Sequence, residues 1–354
     1  MKAHFFRTLI FSVLLTLSAD AFCCTSVIIS GKARQDGRPV MMKHRDSGEL
    51  NSRMQRFDGP EYSFIGLVNS SSKGGEVWSG TNSGGFCIMN TATYDLKDDD
   101  VPAEQMDREG VLMYIALGKC LTVNDFQNLL DTLPRPMGVE ANFGVIDAFG
   151  GAAYFEVNNH SWTRFDVGDE PGGYMVVTNF TRTGRVADRK GVDRFEKACG
   201  IMSSIDVATA GHSVLFNSIS RSGEPIMRNI TSSSIVFEGV KEGEDPLGTV
   251  MWTILGCPTD CIYLPLMVST KDIIPSFMKD VPGKETSQIC DNALIIKGIY
   301  GFKHGCEDEC VEIEKSIDAG FSSDMSPFRY TRFVKKAYRK YSSMCRRKLP
   351  KVSL

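Results

Sequence analysis

The 354-residue sequence predicts an α+β fold built on antiparallel sheet, and two observations carry that prediction. Helical patterns over 104–119 and 123–133 are followed by four strand-like runs, 141–147, 152–157, 162–166 and 174–178, joined by short turns. The chain also shows no internal repeat, low-complexity tract or proline-rich linker, so one domain over residues 24–354 is expected. A hydrophobic share of 42% with 23% charged residues is that of a globular protein.

The first 23 residues read as an export signal. Lys2 and Arg7 form the positive end, Thr8 to Leu17 the apolar run, and Ser18 to Cys23 a small-residue cleavage region. That run is shorter than the roughly 20 residues needed to cross a bilayer, and no later stretch qualifies. The expectation is a protein exported to the periplasm or the extracellular space, without stable membrane insertion. Cleavage after Ala21 would leave Phe22 first, and cleavage after Cys23 would leave Cys24 first. We take 1–23 as the removed segment. A lipid on Cys23 or Cys24 is disfavoured, because Phe22 is bulky where a small residue is expected.

Charge and cysteine content exclude further classes. A net charge of −3 gives no global attraction to nucleic acid. The basic stretch from Lys335 to Lys351 reads as a solvated helix face with a tail. Eleven cysteines include Cys257-x3-Cys261 and Cys306-x3-Cys310. These lack the tighter spacing and neighbouring histidines of a zinc site, so disulfides or buried thiols are expected and no metal or cofactor.

From Thr25 to Ser30 the pattern is that of a buried strand; Gly31 to Gly37 is a turn, and Pro39 to Met42 returns as a second strand. A hairpin starting there would hold Cys24 at a sheet edge. If Cys24 becomes the first residue, thiol and α-amine sit on one residue, and the amine can take the thiol's proton as the sulfur attacks a carbonyl. Lys43-His44-Arg45-Asp46 follows the second strand as a charged cluster. Asp46 could accept a hydrogen bond from the α-ammonium while a cation orients substrate; a solvated turn with local ion pairs is the plainer alternative.

Tyr62 to Val68 and Gly85 to Met89 are further strands, separated by glycine-rich turns. Gly80 to Gly85 lacks the lysine and following helix of a phosphate loop and reads as a hairpin turn. Asn90 closes its strand, where a side-chain amide could donate to an oxyanion. Thr122 caps the helix 123–133. After the strand ending at Asn179 comes a polar loop, 180–190, then helix 192–203 with Arg194 in its first turn. Helix 206–218, capped by Asp206, strands 233–240, 249–255 and 262–268, and helices 294–300 and 330–344 complete the reading. His160, His212 and His304 have plain structural explanations, and no Gly-x-Ser-x-Gly elbow accompanies them.

The segment CTSVIISGKARQDGRPVMMKHRD, Cys24 to Asp46, resembles the N-terminal-nucleophile cysteine hydrolases. That group includes choloylglycine hydrolases, penicillin V acylases, N-acylethanolamine acid amidase and 6-aminopenicillanic acid acyltransferase. Its members begin Cys-Thr, and their second strand ends in Arg-Asn-x-Asp; here Lys43 and His44 stand at the Arg and Asn places and Asp46 matches. Gly84 to Asn90 is similar to the segment ending in the oxyanion-hole asparagine. Met175 to Asn179 resembles the Thr-Asn carrying the other catalytic asparagine, and Asp193 to Ala198 the segment with the last catalytic arginine. The resemblance implies a four-layer αββα sandwich and an amidase cleaving a linear amide. It assigns attack to Cys24, oxyanion stabilisation to Asn90 and Asn179, and the amine to Asp46. Positive charge would come from Lys43, Arg45 or Arg194. The implied partner is a small acyl amide: an N-acyl amino acid, a conjugated bile acid or a relative. Acyl transfer, dipeptide hydrolysis and a non-catalytic secreted binding protein of the same fold stay open, as does assembly into a homo-oligomer.

Overall fold

The fold is organised by two antiparallel sheets stacked face to face. A computed structural model describes residues 23–96, 101–102, 105–268, 274–281, 284–302 and 305–349. The expected export signal before residue 23, His304 and Lys351 lie outside the described residues.

The chain enters as β1 (Cys24–Ile29) and returns as β2 (Val40–Asp46). It then forms a seven-strand meander: β3 (Ser52–Asp58), β4 (Ser63–Asn69), β5 (Ser79–Asn82), β6 (Cys87–Ala92), β7 (Ala141–Ile146), β8 (Ala152–Val157) and β9 (Trp162–Asp166). Next, β10 (Tyr174–Val177) pairs with β1, and β11 (Thr231–Glu238), β12 (Val250–Leu255) and β13 (Leu264–Leu266) extend the first sheet beyond β2. Its order is β10-β1-β2-β11-β12-β13. Cys24 thus begins an interior strand, not the edge strand expected from the hairpin alone.

Helices cover both outer faces, so the order of layers is αββα. Helices α1 (Glu109–Lys119) and α2 (Val123–Thr132) lie on the meander, where Leu112, Met113, Phe126 and Leu130 pack with Phe64, Phe86, Ile88 and Phe143. α2 starts at a capping box, Thr122 and Asp125 each bonding the other's backbone. The other sheet is covered by α3 (Val192–Met202), the short α4 (His212–Leu215), α5 (Gln288–Tyr300), α6 (Glu307–Asp318) and α7 (Pro327–Lys348). In α7 the buried residues Tyr330, Val334, Ala337, Tyr341 and Met344 recur at helical spacing, and its basic residues face outward. Among the described residues no helix is long and apolar enough to cross a membrane.

The α+β expectation and the layered arrangement implied by the resemblance are both present. Local differences have physical causes. Lys43 to Asp46 belong to β2 itself, because β11 pairs along its whole length. Residues 80–82, expected as part of a turn, belong to β5, since β4 and β6 pair on either side of a polar, glycine-containing segment. β3 escapes a hydrophobic reading because Arg53, Gln55 and Arg56 interleave its apolar residues. The helix expected over 206–218 is reduced to His212–Leu215, running into a wider turn at Phe216–Ser220, because Gly211 is extended. α6 went unread because glutamates and aspartates dominate it. At Gly144 an added Cβ would lie 2.3 Å from the Met89 side chain and 3.1 Å from Ile28, so glycine lets the sheets meet beside β1.

Candidate active site

The pleat of β2 sorts the charged cluster onto two faces. Cys24 opposes Arg45 and Ser26 opposes Lys43, so these four side chains share a face. That face is turned to the second sheet: Tyr154 of β8 donates to Ser26 Oγ at 3.0 Å. His44 and Asp46 point the other way, with Thr25, toward the helices. Only Lys43 and Arg45 of the cluster therefore share the Cys24 thiol's side.

Both cations on that face are buried and tied to the second sheet. Lys43 Nζ donates to Trp78 O at 2.6 Å and to Asn90 Oδ1 at 2.8 Å. Arg45 donates to Ser232 Oγ (3.1 Å) and Asn69 Oδ1 (2.9 Å), with its guanidinium over the Trp78 ring. Burial pulls Lys43 down to about 7, against the favourable charge of Cys24, and pulls Arg45 down to about 10. Because Lys43 takes Asn90 Oδ1, the amide's Nδ2 is its outward donor. Cys24 itself is 5% exposed.

The nitrogen of Cys24 is held from the opposite side. Its N–H donates to Asn179 Oδ1 at 2.8 Å, and Arg194 Nη2 donates to the same oxygen at 2.7 Å. Arg194 Nη1 also donates to Cys24 O and, at 3.5 Å, to Thr25 Oγ1. Asn179 Nδ2 donates to Ala92 O at 2.7 Å, so its side chain is engaged at both ends. Its oxygen thus faces the Cys24 nitrogen, a contact beyond the oxyanion role expected of it. Arg194 owes its position to Gly191, whose φ of +75° turns the loop into α3; a Cβ there would lie 2.1 Å from Arg194 Nη2.

Asp46 lies opposite residue 23 in the β1–β2 register and makes no hydrogen bond to Cys24 N in the intact chain. Its Oδ1 accepts from Thr231 Oγ1 at 2.7 Å; its Oδ2 is buried with no hydrogen-bond partner, 3.8 Å from Arg228. Burial raises its carboxyl to about 7, against Thr231 and the charges of Arg194 and Arg228. Since Thr231 donates to Asp46, it accepts from His44 Nε2, 3.2 Å away. Burial, then the charge of Arg194, lowers His44 to about 3 and keeps it neutral.

The six other residues expected at the site therefore gather around Cys24, on two sides of the sheet. Two more were not expected. Arg228 comes from the irregular segment before β11 and reaches Asp46 only through the pairing of β11 with β2. Tyr94 lies just past β6, and burial, then the charges of Cys23 and Cys24, raises its phenol. Neither has a periodic or motif signal. Elsewhere, Cys257, Cys261, Cys306 and Cys310 are buried thiols, with the last two sulfurs 3.8 Å apart.

No protein-family model matches the sequence, and neither does any curated protein. Among solved structures, a Caenorhabditis elegans N-acylethanolamine-hydrolyzing acid amidase ortholog is similar at 14% identity and TM-score 0.49, over 60% of this chain and 92% of that one. A variant of conjugated bile acid hydrolase from Clostridium perfringens is similar at 11% and 0.47, over 71% and 94%. Penicillin V acylase from Agrobacterium tumefaciens is similar at 14% and 0.45, over 71% and 88%. Likenesses of this strength carry no functional weight; the side-chain geometry does.

Proposed function

We propose that this protein is an exported amide hydrolase whose nucleophile is the thiol of Cys24, exposed as the first residue once residues 1–23 are removed. The observation that supports this best is the clamp on the Cys24 nitrogen. Asn179 Oδ1 accepts from that nitrogen at 2.8 Å while Arg194 fixes both Asn179 and the Cys24 carbonyl. A buried main-chain N–H needs an acceptor in any strand; what goes beyond that need here is a guanidinium that fixes both the acceptor and the Cys24 carbonyl, as a terminal amine acting as base must be held still.

In the reaction the Sγ–H proton passes to the α-amine as sulfur bonds to the amide carbon. The negative charge on the carbonyl oxygen is met by Asn90 Nδ2, which Lys43 orients. Collapse breaks the C–N bond, and the α-ammonium returns its proton to the departing amine. The Cys24 thioester left behind is opened by water, whose proton the amine accepts, giving a carboxylic acid and free thiol. Asp46 Oδ2, buried and opposite residue 23, is the acceptor available to the α-ammonium after cleavage. Acyl transfer differs only in that an amine replaces water at the thioester.

The test is mass spectrometry of exported protein mixed with N-acyl amides of varied acyl length. Expected are an N-terminal Cys24 and a transient acyl adduct on it; Cys24→Ala should abolish turnover while folding persists. Active protein retaining the Cys23–Cys24 bond, or an unchanged rate in Cys24→Ala, would refute the proposal.

A further inference from the structure

We propose that the outer face of α7 docks the protein on an anionic lipid surface, through a stripe of Arg332, Lys335, Arg339 and Arg346 with Phe328 at its end. The proposal goes beyond the amide hydrolase reading and uses none of its residues.

The charge of α7 has one sign. Its 22 residues hold nine lysines and arginines and no aspartate or glutamate, in a chain with 40 basic and 43 acidic residues. The net charge of −3 therefore conceals a basic helix on an otherwise acidic protein. Folding gains nothing from this pattern. Arg332 and Lys336, Lys335 and Arg339, and Lys336 and Lys340 are like-charged neighbours at i,i+4, which repel along a helix. Arg329 also stands in the first turn, at the positive end of the helix dipole. A face needed only for solubility would mix both signs.

Helical spacing gathers these charges opposite the core. At 3.6 residues per turn, Phe328, Arg332, Lys335, Arg339 and Arg346 fall on one stripe, away from the buried Tyr330, Val334, Ala337 and Tyr341. The stripe spans about 27 Å at 1.5 Å per residue. All five side chains are exposed, and among the described residues none of the four cations makes an ion pair or a side-chain hydrogen bond. The other flank of α7 meets the acidic α6. There Lys340 donates to Ser316 Oγ at 3.2 Å and Lys348 pairs with Glu309. Arg339 and Arg347 reach an open groove of about 700 Å³ that Asp308, Glu309 and Glu312 also line. Arg332, Lys335 and Arg346 lie outside that groove and its acids.

The length of the stripe and the ring at its end select the partner. A free phosphate would engage one or two of these side chains, whereas a bilayer surface meets all of them at once. Phe328, 77% exposed, is the most exposed large apolar side chain among the described residues. It is also held in place, because Pro327 opens the helix and Ser326 Oγ accepts from Arg329 N at 3.4 Å. An aromatic ring fixed beside cations gains by entering the headgroup boundary of a membrane. On the phosphate backbone of a nucleic acid it gains nothing.

The experiment is flotation of the processed protein, free of the apolar run 8–17, with vesicles of phosphatidylcholine alone or with 30% phosphatidylglycerol; it requires no turnover. The protein should float with the anionic vesicles and stay behind with the neutral ones. Raising NaCl from about 0.1 to 0.5 M should release it, since exposed charges are screened. Arg332→Gln, Lys335→Gln and Arg346→Gln together should weaken partition roughly 30-fold or more, at about fivefold for each charge near the surface. Phe328→Ser should weaken it about threefold or more without changing the salt dependence. Far-ultraviolet circular dichroism and urea midpoints should match the wild type in both variants, because every altered side chain is exposed. Flotation that ignores lipid charge, or a triple variant that floats like the wild type, overturns the proposal. So does release by about 10 mM inorganic phosphate at matched ionic strength, which would make the stripe a site for free anions. A Phe328→Ser variant equal to the wild type, or retention on duplex DNA at salt that strips the vesicles, would replace the bilayer with a soluble polyanion.

Discussion

Replacing Lys43 by methionine should change how stability depends on pH, and by an amount the burial of this residue sets. Lys43 is fully enclosed, and burial lowers its ammonium from about 10.5 to about 7. Unfolded, the same group titrates near 10.4. Between those values the unfolded chain carries a proton that the folded chain does not, so stability rises with pH across that window. The contribution is complete above the unfolded pKa and is lost as pH falls through about 7. A displacement of this size is worth about 4–5 kcal/mol. Lys43→Met removes the titration but leaves Trp78 O and Asn90 Oδ1 without their donor, a cost of about 1–3 kcal/mol for each. That cost does not vary with pH, so it cancels from the slope. Urea unfolding of both proteins at several pH values from about 6.5 to 9.5 should show the wild type gaining on the variant by roughly 3 kcal/mol or more. Activity of the variant should fall at every pH, because Asn90 loses the partner that orients it. Parallel stability curves would refute the reasoning, since they would mean the buried amine stays charged.

Asn90→Ala should lower kcat by roughly 10²–10³ with little change in KM, as for loss of a single oxyanion donor; steady-state kinetics check it, and a fall below about fivefold would remove Asn90 from that role. Gly191→Ala should displace the Arg194 guanidinium, which its Cβ would approach to 2.1 Å, and reduce kcat more than tenfold while far-ultraviolet circular dichroism stays unchanged. His212 is a stability prediction away from the site. Burial opposes its charge, but hydrogen bonds to Asp318 and Glu238 outweigh that and raise it to about 9. Its stabilisation is full below about pH 6.5 and lost as pH rises through 9, so His212→Gln should cost about 3 kcal/mol near pH 6 and little near pH 10 in urea unfolding.

Much of the site was legible because its residues end or interrupt apolar runs. Cys24 opens one, Asn90 follows Phe86-Cys87-Ile88-Met89, and Asn179 follows Met175-Val176-Val177-Thr178. Arg194 was legible from the start of a helical pattern. What could not be read is anything fixed by pairing between distant strands. Arg228 is in an irregular segment, and only the register of β11 on β2 carries it to Asp46. β5 has little strand propensity of its own and is a strand because both neighbours bond to it. The commitment of Asn179 Oδ1 to the Cys24 nitrogen is likewise a matter of side-chain direction that no motif encodes.

The spacing within Lys43-His44-Arg45-Asp46 has a physical reason that the structure makes plain. A strand turns successive side chains to opposite faces, so residues three apart point in opposite directions. The reaction we propose divides the same way: charge would develop on the carbonyl oxygen on the thiol's face, and the proton would travel through a nitrogen that borders the helix-facing side. Lys43 reaches Asn90 on the first face, and Asp46 meets Arg228 and Thr231 on the second. An even spacing would put both charges on one face, where they would pair with each other and leave the other half of the reaction unserved. The same argument accounts for what histidine does at position 44. It falls on the helix-facing side, is held neutral by burial and donates to Thr231, so it supports Asp46 without adding charge near the thiol. A one-residue slip of β2 against β1 would exchange the two sets of side chains. Because β2 is paired on both sides, with β1 and with β11, the division of labour is secured by the sheet and not by the side chains themselves.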